Sequence, residues 1–220
     1  EHQRLAVDET GAGRVVASAT DHPGSIGGFS AQKIVYDVMG RTIKTSNPTE
    51  TNASGHPSQW TTAGDDASAG WIYTQQTYDW KGRPLVTTNQ DGTTRTASYS
   101  GCGCAGGEIV TLTDEGTTDG GVTKKRQQKL YSDILGRVFK KDTLNWVAGA
   151  PYSTTVNTYN ARNQIKLVRQ YAGVEGGSTH QDTSMEYDGY GRLQTEHRPE
   201  QDNGTSTAYA YNADDTVLSV

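Results

Sequence analysis

The stretch EYDGYGRLQ, Glu186 to Gln194, places a tyrosine and then an aspartate ahead of a Gly-Arg pair. Tyr187, Asp188 and Arg192 are side-chain types that serve in catalytic sites, and they also serve in tight turns. A catalytic site would occur once in the chain, whereas a structural unit would recur. The first question is therefore how often the pattern appears.

The pattern recurs along the chain as Tyr, Asp or Asn, two free positions, Gly, Arg and then an aliphatic residue. The copies are VYDVMGRTI (35–43), TYDWKGRPL (77–85), LYSDILGRVF (130–139), TYNARNQIKL (158–167), EYDGYGRLQ (186–194) and AYNADDTVL (210–218). Ser132 intrudes after Tyr131 in the third copy, Asn163-Gln164 replaces Gly-Arg in the fourth, and Asp215-Thr216 replaces it in the sixth. Irregular repeats of this kind predict an array of similar structural units.

Each copy is predicted to form a tight β-hairpin. The Asp or Asn side chain can accept a hydrogen bond from the backbone two residues on, which favours a type I turn. Glycine then takes the left-handed conformation that closes the loop with a bulge. Asn163 and Asp215 are the replacements that best tolerate this conformation. Tyrosine and arginine are expected to flank the same turn and to stack on each other across its two strands.

The repeat therefore favours a structural role for the motif side chains, and no catalytic, cofactor-binding or metal-binding residue is assigned. The residues that define the repeat are Tyr36, Asp37, Gly40, Arg41, Tyr78, Asp79, Gly82, Arg83, Tyr131, Asp133, Gly136, Arg137, Tyr159, Asn160, Tyr187, Asp188, Gly191, Arg192, Tyr211 and Asn212.

The YDxxGR pattern resembles the YD repeat of the RHS family, which includes bacterial RHS proteins, toxin-complex C components, wall-associated proteins and teneurins. The resemblance covers about Val35 to Val220. ETGAGRVVAS, 9–18, resembles the second half of an earlier copy that has lost its tyrosine. The resemblance implies hairpins laid side by side in a strip of sheet that coils into a hollow shell. It does not extend to a self-cleaving aspartyl segment or to a toxin activity, because no stretch here matches those parts of the family.

The predicted fold is all-β, an array of antiparallel hairpins that forms a strip of sheet and either coils into a shell or stacks as a fibre. Composition agrees, since hydrophobic residues make up 32% of the 220 residues while 26 glycines and 12 tyrosines are present. Neither face of the strands before the turns is consistently apolar, as Ile34, Gln76 and Lys129 on one face illustrate. A compact β-sandwich, whose strands bury one apolar face, is the alternative.

The array is expected to have a degenerate first repeat and lead-in strand at 1–34 and repeats from 35 to 220. The segment at about 44–70 is rich in Thr, Ser, Gly and Pro and is predicted to be an inserted loop. Trp60, Trp71 and Trp146 lie in or beside connections between the repeats. They are predicted to fold back and cap the sheet, and binding of a sugar or a partner is the alternative. Because each end would leave a sheet edge unpaired, the chain is expected to be part of a longer repeat protein or of a polymer.

The formal net charge of −5 is spread along the chain, which disfavours a nucleic-acid partner. The basic cluster KKRQQK, 124–129, is interpreted as a solvated edge strand or loop. No apolar run is long enough to span a membrane.

Two cysteines occur in SGCGC, at Cys102 and Cys104. A disulfide between them suits an oxidising compartment, and free thiols or a metal or redox site are the alternatives. Two thiolates alone cannot complete a tetrahedral metal site, and no histidine lies at ligand spacing from them.

Three functions are compatible with this sequence. The first is a non-enzymatic, secreted or cell-surface structural protein, as a segment of an RHS-type shell or an extracellular fibre, with neighbouring repeats or other copies as partners and no cofactor. The second is a shell that encloses and delivers a toxin. The third is a module that binds a surface glycan or a receptor through its aromatic loops.

Overall fold

The computed structural model describes residues 3–7, 13–101, 107–145, 149–202 and 204–220. Cys102, Cys104 and Trp146 lie outside the described residues, as does the ETGA stretch at 9–12. The chain divides into two compact units, Glu1–Ala97 and Ser98–Val220.

The first unit is built on antiparallel strands. They are β1 (Gln3–Val7), β2 (Val15–Asp21), β3 (Gly28–Tyr36), β4 (Thr42–Ser46), β5 (Thr49–Asn52), β6 (Thr61–Thr62), β7 (Tyr73–Tyr78), β8 (Pro84–Thr88) and most of β9 (Thr94–Ser100). Strand β3 pairs with β2 on one side, and on the other side it pairs with β5 through its first half and with β4 through its last three residues. Strands β4, β7, β8 and β9 follow in order.

The second unit has its strands side by side in the order of the chain. They are β10 (Ile109–Asp119), β11 (Val122–Ser132), β12 (Val138–Leu144), β13 (Pro151–Tyr159), β14 (Ile165–Tyr171), β15 (His180–Tyr187), β16 (Leu193–His197) and β17 (Thr207–Ala208). A further hairpin pairs β18 (Ala210–Tyr211) with β19 (Val217–Ser219). This order confirms the predicted all-β hairpin array rather than a compact sandwich.

The inserted loop of the first unit folds back on the sheet. It contributes β5, β6 and two short 3₁₀ helices, Pro57–Gln59 and Gly64–Asp66. Trp60 is only 5% exposed, and it packs with four buried alanines while its Nε1 donates to the carbonyl oxygen of Gly55 at 3.2 Å. The buried alanines are Ala17, Ala19, Ala31 and Ala53. The prediction that these loop tryptophans cap the sheet is confirmed for Trp60, and Trp71 packs partly buried against the same cluster.

The basic cluster at 124–129 lies on β11, where the prediction of an edge strand holds for only part of the strand. Residues Gln127 to Ser132 pair with β12, so Lys129 lies inside the sheet. Lys124 and Lys125 pair with Thr117 and Gly116 of β10, in the part of the hairpin for which no pairing with β12 is observed. The difference arises because β10 and β11, at eleven residues each, are longer than β12.

The helices among the described residues are too short to cross a membrane.

Candidate functional site

The motif residues meet at five-residue turns, and the turn from Asp37 to Arg41 shows the arrangement. The backbone N–H of Asp37 donates to the carbonyl of Arg41, and the N–H of Gly40 donates to the carbonyl of Asp37, both at 2.9 Å. One carboxylate oxygen of Asp37 accepts from the backbone N–H groups of Met39 and Arg41 at 2.9 Å each. The other oxygen accepts from Nε of Arg41 at 2.7 Å and lies 2.7 Å from its Nη2. The aspartate therefore fixes both the turn and the arginine after it.

Three further turns repeat these contacts. In each, one carboxylate oxygen lies 2.7 Å from the arginine Nε, and the other oxygen accepts from the backbone N–H groups two and four residues on. Nη2 of Arg83 and Nη2 of Arg137 also lie 2.6 Å from the carboxylates of their turns. The pairs are Asp79 with Arg83, Asp133 with Arg137 and Asp188 with Arg192.

The left-handed position of each turn has the predicted conformation. Its φ is 80° at Gly40, 83° at Gly82, 77° at Gly136 and 89° at Gly191. Asn163 and Asp215, both at φ 65°, are the non-glycine residues with positive φ in the described part of the chain. The expectation that these two replacements adopt the left-handed conformation is confirmed.

The expected stacking of tyrosine and arginine within one hairpin is wrong, because the stacking joins successive repeats. Arg41 lies 4.9 Å from the ring centroid of Tyr78, which belongs to the next copy. The same relation holds for Arg14 and Tyr36 at 5.2 Å, Arg137 and Tyr159 at 4.6 Å, and Arg192 and Tyr211 at 4.6 Å. Arg41, Arg137 and Arg192 thus each bind the aspartate of their own turn and cover the tyrosine of the next copy.

The tyrosine hydroxyl completes this contact between repeats. It donates to the backbone carbonyl of the residue that follows the arginine or glutamine of the preceding copy. The pairs are Tyr36 with Val15 (2.9 Å), Tyr78 with Thr42 (2.6 Å), Tyr159 with Val138 (2.8 Å), Tyr187 with Ile165 (2.7 Å) and Tyr211 with Leu193 (2.7 Å). Arg14 and Val15 take part like the later copies, which agrees with the interpretation of 9–18 as the remnant of an earlier repeat.

Tyr131 does not occupy the position of the other motif tyrosines. Ser132 lies opposite Val138, as Tyr36 lies opposite Thr42 and Tyr187 opposite Leu193. Since successive side chains of a strand point to opposite faces, Tyr131 is placed on the other face, with Nζ of Lys140 5.0 Å from its ring centroid. Ser132 therefore replaces the tyrosine instead of lengthening the turn.

A turn of the same geometry, from Asn89 to Thr93, was missed as a copy because no tyrosine precedes it. The N–H of Asn89 donates to the carbonyl of Thr93 at 2.8 Å, and Gly92 has φ 81°. Nδ2 of Asn89 donates to the Thr93 hydroxyl at 3.0 Å, which replaces the ion pair of the other turns. The sequence signal was present in NQDGT, which matches the NADDT of the sixth copy except at two positions.

The two degenerate copies replace the ion pair with a neutral hydrogen bond. Asn160 donates through Nδ2 to Oε1 of Gln164 at 3.0 Å, and Asn212 donates to the hydroxyl of Thr216 at 2.9 Å. In the fourth copy, Nη1 of Arg162 donates to the carbonyl of Asp188 at 3.2 Å. A cleft of about 380 Å³ opens there, between the fourth and fifth turns.

A polar cluster lies on the sheet of the second unit, away from the turns. Asp142 and Thr154 are buried, and the Thr154 hydroxyl donates to Asp142 Oδ1 at 2.8 Å. Nζ of Lys140 lies 3.1 Å from a carboxylate oxygen of Glu175 and 3.8 Å from one of Asp142. Burial, together with the nearby Asp142 carboxylate, raises the pKa of Tyr131. These groups satisfy one another across β11, β12, β13 and the loop that follows β14.

An aromatic sugar-binding surface is not formed by the predicted tryptophans that the structure describes. Trp60 is buried, and Nζ of Lys33 lies 4.3 Å from the ring centroid of Trp71. Within the described ranges, no three His, Asp or Glu side chains gather as metal ligands would.

Comparison with known proteins shows similarity at the level of structure. No protein-family model and no curated protein sequence matches the chain. The crystal structure of TcdB2-TccC3-Cdc42 matches 98% of this chain with a TM-score of 0.63 and 15% identity. TcdB2-TccC3 without its hypervariable C-terminal region matches 98% with a TM-score of 0.61 and 14% identity. The Tc holotoxin pore of Photorhabdus luminescens matches 98% with a TM-score of 0.55 and 13% identity.

The matched stretch is 10% of the first two of those chains and 11% of the third, so this chain spans about a tenth of their length. At this identity the likeness concerns the fold alone. The chain has the β-hairpin fold of a segment of these structures.

Proposed function

We propose that this chain is a non-enzymatic structural segment of an RHS-type β-shell that acts outside the cell or at its surface. The observation that carries the proposal is the contact between successive repeats. Arg41, Arg137 and Arg192 each bind their own aspartate and stack on the tyrosine of the next copy, whose hydroxyl bonds to the preceding copy. Such contacts join each unit to its neighbours, which is how stacked-repeat proteins gain stability.

The environment of the motif carboxylates supports a structural role. A general acid or base needs a pKa near the working pH and a side chain that can reach the substrate. Hydrogen bonds from the Arg137 side chain, opposed by partial burial and aided by backbone N–H groups, lower the pKa of Asp133. Asp37 is held below its ordinary pKa first by the backbone N–H of Arg41. These carboxylates stay ionised and engaged with their own turns.

Enclosure and delivery of a toxin is a second candidate function. The observation that favours it is the similarity to the named toxin-complex structures over 98% of this chain. This function belongs to a whole shell, of which the present chain would form one part of the wall, with neighbouring repeats and an enclosed toxin as partners.

Cryo-electron microscopy of the intact native protein that contains this chain tests the shell. We expect a wall one sheet thick around a lumen, with this segment fitted into the wall. A compact particle without a lumen would contradict the proposal, and long filaments would favour the fibre. Density inside the lumen, or a protein fragment that resists protease until the shell is unfolded, would support toxin enclosure.

A further inference from the structure

The cleft between the fourth and fifth turns lies where the other copies hold a guanidinium. Five tyrosines occupy the motif position, and four of them have an arginine of the preceding copy over the ring. The fifth is Tyr187, whose preceding copy carries Gln164 instead. Among the described residues, no cation or aromatic ring covers Tyr187. The cleft is lined by this tyrosine, by the turn before it, and by Asp188 and Gly189 of the fifth turn, where the Asp188 carboxylate is paired with Arg192.

The cleft is open because small or short side chains surround it. Gln164 is shorter than arginine, and its Nε2 turns away to donate to the carbonyl of Gly191 at 2.6 Å. Ala161 and Gly189, at the tips of the two turns, also line the cleft. The corresponding tips of other turns carry Val38, Trp80 and Ile134. The volume of about 380 Å³ lies within the range of small-molecule sites.

Arg162, which also lines the cleft, differs from the motif arginines because no carboxylate of the described residues pairs with it. Its guanidinium has one hydrogen bond in the described structure, from Nη1 to the carbonyl of Asp188. A guanidinium has five N–H donors, so most of them remain for a ligand. A cationic ligand would be repelled by Arg162, whereas a carboxylate would match its fork geometry.

The remaining groups suit a ring that bears hydroxyls. The Tyr187 ring gives a flat apolar surface. The Asn160 amide uses one N–H to bind Gln164, and the Gln164 amide uses one to bind the carbonyl of Gly191, so each amide keeps a second N–H for a ligand. We propose that this cleft binds a carboxylate carried on a six-membered ring, and specifically an acidic sugar of the uronate class. The carboxylate pairs with Arg162, the apolar face of the ring lies on Tyr187, and the amides bind hydroxyls.

Saturation-transfer NMR titrations of the intact protein test this site with three probes, methyl glucuronide, methyl glucoside and benzoate. The glucuronide is expected to bind at least about tenfold more tightly than the neutral glucoside, because a charge-assisted hydrogen bond is lost with the carboxylate. Arg162→Gln should remove this preference. Arg126→Gln, which removes an exposed arginine from β11, should leave it unchanged.

A double variant, Asn160→Asp with Gln164→Arg, rebuilds the arrangement of the other copies and fills the cleft. It should lose glucuronide binding while its melting temperature stays the same or rises, which separates loss of the site from loss of the fold. Binding that survives in this folded variant would overturn the proposal, as would failure of the unmodified protein to bind glucuronide. Binding of benzoate without glucuronide would overturn the assignment to a sugar.

Discussion

The third residue after each motif aspartate or asparagine has a positive φ, which is 80° at Gly40 and 65° at Asn163. For an L-residue with a Cβ, the left-handed region costs roughly 1–2 kcal/mol, and Asn and Asp tolerate it best among the non-glycine residues. At Gly136 only the backbone conformation favours glycine, because a Cβ there would meet no other atom within 4 Å. At Gly40 the Cβ would also clash with Nη1 of Arg14.

Gly136 therefore offers a test of backbone strain without a steric clash. We expect Gly136→Ala to lower the free energy of unfolding by about 1–2 kcal/mol. Gly136→Asn is the matched control and should lose less than half as much, because asparagine adopts the left-handed conformation more readily. Urea denaturation measures both. Equal losses for the two variants would show that φ is not the reason for glycine here.

The ion pairs of the turns predict how stability depends on pH. Burial raises the pKa of these carboxyl groups and is the largest single influence at Asp79 and Asp188, but hydrogen bonds and ion pairs together outweigh it. The net effect is a lowered pKa for Asp37, Asp79, Asp133 and Asp188 in the folded chain. A carboxyl group whose pKa is lower in the folded chain than in the unfolded chain stabilises the fold above the unfolded pKa of about 3.9. This stabilisation is lost as the pH falls through the folded pKa. The melting temperature should thus be nearly constant above about pH 5 and should fall steadily below about pH 4.

Asp133→Asn provides the comparison for this pH dependence. The variant can still accept the backbone hydrogen bonds, as Asn160 does, but it cannot titrate. It should be less stable than the unmodified protein at pH 7 and should lose less stability between pH 5 and pH 3. Parallel melting curves over this range would show that Asp133 contributes nothing through its charge.

At the scale of the elements, two contacts join a hairpin to the next one along the chain. The arginine of the first copy stacks on the tyrosine of the second, and the hydroxyl of that tyrosine donates to a backbone carbonyl of the first. Arg41 covers the Tyr78 ring, and the Tyr78 hydroxyl reaches the carbonyl of Thr42. The turn itself could be predicted from sequence, because Asp37, Gly40 and Arg41 lie within five residues. Which tyrosine an arginine covers could not be predicted, since it depends on how the hairpins lie beside one another.

Tyr78→Phe tests the hydrogen-bonded half of this contact. Removal of the hydroxyl leaves the ring under Arg41 and should cost about 1 kcal/mol of unfolding free energy, the usual net value of one hydrogen bond. Tyr152→Phe serves as the control, because Tyr152 is 72% exposed. Hydrogen exchange should show faster exchange along β4 and β7 in the first variant. Unchanged exchange there would rule out a role of the hydroxyl in holding the two copies together.

The degenerate copies show where sequence reasoning stops at this scale. The left-handed residues Asn163 and Asp215 were predictable from their types, and the Asn89 turn could have been recognised as a copy of the repeat by comparison with NADDT. The displacement of Tyr131 by one position could not be predicted from the sequence. Only the strand register shows that Ser132 replaces the motif tyrosine and is not an extra residue in the turn. The cleft beside Tyr187 likewise becomes meaningful only when the partner of each tyrosine is known.

At the scale of the whole molecule, most strands have little apolar side-chain material to bury. The buried hydrophobic residues of the described chain are four alanines, Trp60 and Leu144. Composition accounts for this thin core, because a chain with 32% hydrophobic residues cannot fill a large one. The position of Trp60 was predicted only as one of two possibilities, since a loop tryptophan can either cap a sheet or face a ligand.

Trp60 is the largest residue of the alanine cluster, so the first unit should depend on it more than on any single turn. Trp60→Ala removes the side chain that covers Ala17, Ala19 and Ala31, and we expect a loss of about 3–5 kcal/mol of unfolding free energy. Trp80→Ala is the matched control, because Trp80 is 87% exposed at the tip of a turn and its removal should change stability by less than about 0.5 kcal/mol. Hydrogen exchange should locate the loss in β2, β3 and β5. If both variants lost the same stability, the alanine cluster would not be the core of the first unit, and contacts between successive repeats alone would have to hold these strands together.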